Sequence, residues 1–262
     1  MRTITHTTTG PVQFTLTVDA AVVEVIAEDR DTTTVTLEPL TSGDQDAARL
    51  IEDTSHTSDG DRFTVRVPRR KASTGVPVGV TRRGSVVSVV GNYGVVTGSV
   101  TGVTIVNGQV IAGAGAVVSD TAGEGLRITV RVPAGSSAAL SGPSVDLRTR
   151  GRLDRVAADT HSGDLRVAHA RDAELVTKSG DVHIGRAATV RARSMAGDIE
   201  VTELAGNAAL TSMSGDITVH AVTDCAVTAH TMSGDVDLSA PRGIEIDADT
   251  RTMSGRTRNH RR

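Results

Sequence analysis

Five carboxylates recur along the second half of this chain at nearly equal intervals, each directly after a glycine: Gly163-Asp164, Gly180-Asp181, Gly197-Asp198, Gly215-Asp216 and Gly234-Asp235. A column of aspartates invites two chemistries, collection of divalent cations and, where His183 and Glu200 stand beside Asp181 and Asp198, proton transfer. Met195, Met213, Met232 and Met253 precede their glycines by two residues and would form an adhesive stripe of thioethers or a shield for sheet edges. The cation reading is the weaker, because calcium wants about six to eight oxygens from several ligands and the Gly-Gly-x-Gly-x-Asp spacing of calcium-binding β-rolls is absent. Turn chemistry accounts for the same residues more simply. Glycine supplies φ > 0 and the following aspartate caps neighbouring amides, so these ten residues read as structural turns. The His183 group reads as surface salt-bridging and the methionines as edge shields.

The elements that must carry these residues follow from the repeat. The phrase runs Thr160-His161-Ser162-Gly163-Asp164, then Thr177 to Asp181, Ser194 to Asp198, Ser212 to Asp216, Thr231 to Asp235 and Thr252 to Arg256. After each corner comes a period-two pair: Leu165/Val167, Val182/Ile184, Ile199/Val201, Ile217/Val219 and Val236/Leu238. Before it comes another run of the same period, such as Val156/Ala158/Thr160 or Ala173/Leu175/Thr177. Period two means strand, with these residues facing inward. The inward Ser or Thr always lies three residues before the glycine, whereas the far side of the unit lengthens. One turn is constant and the other is free. An all-β, parallel β-solenoid of about six to seven coils over 141–255 explains this, with like residues stacked about 4.8 Å apart. Ser141-Gly142-Pro143-Ser144-Val145-Asp146-Leu147 is a degenerate first unit.

Residues 1–140 read as an N-terminal β-strand region, with alternating runs at Val12/Phe14/Leu16/Val18, Val23/Val25, Val35/Leu37 and Phe63/Val65/Val67 and one short helix over 46–53. Arg62 to Pro68 recurs as Arg127 to Pro133, which places two strands in equivalent positions around an insertion. Within it, 84–119 carries no charge and is rich in Gly, Val and Thr, either extra strands folded back on the body or a self-association segment. The basic tail 256–262 puts Arg256 where the aspartate belongs and reads as a frayed cap.

Composition narrows the function. The 262 residues include no Trp, one Tyr and two Phe, so the core is Val, Ile, Leu and Ala. A net charge of −3 offers no field for nucleic acid. No membrane span and no export signal are present, which points to a cytoplasmic protein. Cys225 has no partner for a disulfide and reads as a small buried hydrophobe. No phosphate loop, nucleophile elbow or His-Glu-x-x-His is found, and no cofactor is expected. Variation gathers at the free corner, where His169, Arg171, Arg186, Glu203, Asn207, His220 and Arg242 form a candidate interaction edge.

Val132-Pro133-Ala134-Gly135-Ser136 followed by serial Ser-Gly-Asp units resembles the bacterial putative-adhesin family, a β-strand-repeat domain of unknown function common in actinobacteria. The resemblance covers most of 10–255. It implies a β-solenoid preceded by shorter strands and brings no catalytic residues. The expectation is a non-enzymatic structural or interaction module that binds a protein partner or itself. The alternative is a carbohydrate-binding or polysaccharide-cleaving β-helix, for which three aromatics make a poor sugar platform.

Overall fold

A computed structural model describes residues 1–8, 10–69 and 125–260, and the backbone alone of Arg261 and of five strands between 79 and 112. It divides into two compact units, Met1–Arg69 with Glu124–Arg262, and Arg70–Gly123. In the second, β7 (Gly79–Arg83), β8 (Val86–Gly91) and β9 (Gly94–Gly98) form an antiparallel meander. Strands β10 (Val103–Val106) and β11 (Gln109–Ala112) pair as a hairpin. The side chains of 84–119 lie outside the described residues.

The first unit is the coil. Its early strands are β1 (Arg2–Thr7), β2 (Gln13–Thr17), β3 (Ala20–Glu28), β4 (Thr32–Pro39), β5 (Ser55–Asp59) and β6 (Arg62–Arg66), with α1 (Gln45–Glu52) between β4 and β5. After the second unit come β12 (Leu126–Pro133), β13 (Ser137–Arg150), β14 (Arg152–Ser162), β15 (Leu165–Val176), β16 (Val182–Arg193) and β17 (Ile199–Ser214). The chain ends with β18 (Ile217–Ala221), β19 (Cys225–Ser233), β20 (Val236–Ala240), β21 (Ile246–Ser254) and β22 (Thr257–Arg261).

Two ladders run through these strands, and their buried residues belong to one core. Strands leaving the constant corner stack as β1, β4, β12, β3, the second half of β13, the starts of β15, β16 and β17, then β18, β20 and β22. Strands approaching it stack as β5, β6, β2, the first half of β13, β14, the ends of β15, β16 and β17, then β19 and β21. All pairings from β14 onward are parallel, which makes a β-solenoid of about seven turns.

The N-terminal strands are part of the same stack: β3 inserts between β12 and β13, parallel to both. The recurring Arg62 and Arg127 phrases do not occupy equivalent places, because β6 lies in the approaching ladder beside β2 and β12 in the leaving ladder beside β3. Each resembles the other because each must present two buried β-branched or aromatic residues, Phe63/Val65 and Ile128/Val130.

The approaching ladder is packed by size alternation. Its first inward column reads Ala138, Val156, Ala173, Val190, Ala208, Val227, and its second reads Leu140, Ala158, Leu175, Ala192, Leu210, Ala229. Every coil pairs one small residue with one larger one, and successive coils exchange them. A leucine therefore lies over an alanine, which lets branched side chains about 4.8 Å apart fill the interior without eclipsing.

The two ends differ. At the start, antiparallel β1 and β5 end the ladders, and α1 packs Ala47 and Ile51 inward, with the Asp44 carboxylate accepting from the amides of Asp46 and Ala47. The Arg2 guanidinium donates to the carbonyls of Ile51, Glu52 and Thr54 at 2.8 to 2.9 Å, closing the helix C-terminus. At the far end the tail is a strand, not a frayed cap: β22 pairs in parallel with β20. There Thr257 and Asn259 replace Val236 and Leu238 in register, so the last described coil turns polar.

Candidate functional site

The constant corner is a backbone seam. Gly163, Gly180, Gly197, Gly215 and Gly234 have φ between 119° and 144°, a region side-chain-bearing residues rarely adopt. From Gly180 onward, a Cβ at any of these positions would strike the carbonyl oxygen of the glycine one coil earlier. The amides pair onward instead: Gly180 donates to Ala196 at 3.1 Å and Gly197 to Ser214 at 3.0 Å. Glycine is required because backbone is stacked directly on backbone.

Each aspartate then ties one coil to the next. The amide of Asp164 donates to Asp146 Oδ1 at 2.9 Å, Asp181 to Asp164 at 3.1 Å and Asp198 to Asp181 at 3.0 Å. Asp216 donates to Asp198 at 2.8 Å, Asp235 to Asp216 at 2.7 Å, and Arg256 to Asp235 at 2.8 Å. Asp146 of the degenerate unit is thus the first rung, and Arg256 the last. Arg256 takes part through its amide alone. Behind the seam, buried Thr160 donates its hydroxyl to the Ser162 carbonyl at 2.7 Å and Thr177 to that of Ser179 at 3.2 Å. Thr231 reaches the carbonyls of Gly215 and Ser233.

Beside the aspartates runs the thioether column. Met195, Met213 and Met232 are 46 to 49% exposed and Met253 is 81% exposed, so they shield little of the core. With Lys178 and the intervening serines they line one shallow apolar groove.

The varied corner holds the other candidate surface. His169 registers with Arg186, and Arg186 with Glu203, to which it also donates at 3.2 Å. His220 lies one coil on, past a register shift between Val201 and Leu204, and hydrogen-bonds Ser239 through Nδ1 at 3.0 Å. Arg171 points to Asp154 and Asp172 at 3.1 and 3.2 Å. Asn207 lies past a register shift between Ala187 and Thr189, opposite Thr189. Arg242 sits on the exposed loop after β20. The row His169, Arg186, Glu203 is brought together; His220, Arg171, Asn207 and Arg242 lie outside that register.

This corner is less free than the sequence suggests. Leu153, Ala170, Ala187, Leu204, Ala221 and Ala240 form a buried column behind it. The signal was present as an apolar residue two or three positions after each Asp-φ-x-φ, inside what reads as loop. Between Arg152 and Ser254, only the segments 222–224 and 241–245 leave the ladders as loops there.

Of the acid/base group, His183 Nδ1 bonds Glu200 Oε2 at 3.0 Å on an exposed face, while Asp181 and Asp198 belong to the seam. Among the described residues no three His, Cys, Asp or Glu side chains are placed to hold a metal ion. Cys225 is buried, and burial, reinforced by Asp224, pushes its thiol above the ordinary range. No helix of the described residues is long and apolar enough to cross a membrane.

A solved structure shares this architecture. A putative adhesin from Bacteroides fragilis superposes with a TM-score of 0.50 at 11% identity, covering 99% of this chain and 96% of that one. A putative adhesin from Parabacteroides distasonis gives 0.46 at 11% identity, covering 99% and 97%. At such identity the likeness is one of fold. No curated protein matches the sequence. The model of the Toastrack DUF4097 family matches residues 13–261, nearly the whole coil and its N-terminal strands, and the chain belongs to that family.

Proposed function

We propose that this chain is a non-enzymatic interaction module that binds a protein partner, or a second copy of itself, along the varied edge. The observation that carries this reading is the mixed-charge row His169, Arg186 and Glu203, held in strand register, with His220 one coil on past a register shift, and bordered by segments that differ from coil to coil. Side chains on a rigid ladder meet a partner with little further ordering. Charges at such a rim set partner choice and association rate more than affinity. The name putative adhesin borne by the structural neighbours is in keeping with a binding role. A sugar platform is poorly supplied, because Phe14 and Phe63 are 1% and 0% exposed.

The test compares wild-type protein with Arg171→Glu/Arg186→Glu as bait in the same lysate, beside a glycan array. Loss of a reproducible protein partner with an unchanged unfolding midpoint supports the reading. A partner that the variant retains contradicts it. Glycan binding, or polysaccharide cleavage abolished by His183→Ala, would replace it with the carbohydrate alternative.

A further inference from the structure

The thioether groove is a second feature, independent of the varied edge. The chain has five methionines; apart from Met1, all stand in this single column. The ladder fixes their spacing. Ser212 registers with Thr231 and Ser214 with Ser233, so Met213 lies across from Met232; the pairs Thr231–Thr252 and Ser233–Ser254 bring Met232 across from Met253 in the same way. One coil earlier, the Ser214 amide donates to the Met195 carbonyl at 3.0 Å. Four flexible thioethers, three half-exposed and Met253 more fully so, therefore rise from one edge at the strand spacing of about 4.8 Å.

We propose that this column binds a soft monovalent d10 cation, Cu(I) or Ag(I), between neighbouring thioethers, with Met213 and Met232 as the principal ligands. Three considerations support it. Thioether sulfur is a soft, neutral donor that selects Cu(I) over hard and borderline ions. Even at the short metal–sulfur distance of zinc thiolates, about 2.3 Å, a linear S–metal–S unit is about 4.6 Å long, and a larger ion lengthens it toward the rung spacing, so two side chains from adjacent coils reach one ion without bending the backbone. Met213 and Met232 have a methionine on both sides, which supplies a third donor from either direction. The groove carries no carboxylate, imidazole or thiol among its lining residues, and Lys178 closes the column where the methionines stop.

Because thioethers do not titrate, binding persists at a pH where imidazoles are protonated. That property separates this site from one built on histidine. Cys225, the only thiol, is removed first so that it cannot contribute.

The experiment is calorimetric titration of silver nitrate into the full chain carrying Cys225→Ser, in chloride-free buffer at pH 7 and pH 5. Ag(I) should bind at both pH values with similar affinity, while Zn(II) and Ca(II) should not bind. Adding Met213→Leu/Met232→Leu, which keeps the stripe apolar, should weaken Ag(I) more than tenfold with the unfolding midpoint unchanged. Equal affinity in the Leu variant, absence of binding at pH 7, or loss of binding at pH 5 would each overturn the proposal.

Discussion

Thr177 and Ser194 occupy the same inward place in consecutive coils, yet only one has a partner. Thr177 donates to the Ser179 carbonyl, whereas the buried Ser194 hydroxyl has no hydrogen bond. Thr177→Val should therefore cost about 1 kcal/mol by removing one of the two hydrogen bonds to the Ser179 carbonyl, which keeps only the Gly163 amide, while Ser194→Ala should be neutral within error. Urea unfolding of both variants measures the difference. Gly215→Ala is a harsher change, because a Cβ there meets the Gly197 carbonyl and φ is 143°. It should destabilise by at least about 3 kcal/mol in the same assay. The glycine and aspartate roles were legible from their recurrence. Asp146 was not assigned as a rung, because Pro143 and the missing Gly-Asp step disguise its corner. Arg256 looked like a break in the pattern and is instead its terminus.

Among elements, the size alternation in the approaching ladder makes a specific demand. Ala192 stands between Leu175 and Leu210 in one column. Ala192→Leu should lower stability by about 1 to 3 kcal/mol despite adding apolar surface, since three leucines would then stack at the rung spacing. Leu175→Ala, which opens a cavity, should cost about 2 to 5 kcal/mol. Guanidinium titration of the two variants tests both. Period two told which residues face inward, and so most of these strands could be read from sequence. It cannot tell which strand is the neighbour. The insertion of β3 between β12 and β13 joins strands about a hundred residues apart and leaves no local mark, which is why Arg62 and Arg127 suggested equivalence when their strands belong to opposite ladders. The buried column at the varied corner was hidden for another reason: a single apolar residue per unit, alanine in four of the six, carries little hydrophobic signal.

At the scale of the whole molecule, the coil is closed at one end by α1 and antiparallel edges and at the other by a strand whose inward residues are polar. The uncharged segment 84–119 lies between β6 and β12 in sequence, so it can be removed without cutting either ladder. If this segment carries self-association, deleting it lowers the oligomeric state seen by sedimentation; an unchanged state would refute that role. The central claim concerns the recurring Ser-Gly-Asp, which serves the stack as a hydrogen-bonded seam instead of displaying a binding motif. Native-state amide exchange tests it most directly. The Asp181, Asp198 and Asp216 amides lie on exposed residues and that of Asp235 on a half-buried one, yet each donates to the carboxylate one coil below. They should be protected, and Asp198→Ala should speed exchange at Asp216 by more than about tenfold while leaving Asp181 as it was. Unprotected aspartate amides, or an Asp216 amide indifferent to the loss of Asp198, would contradict the account.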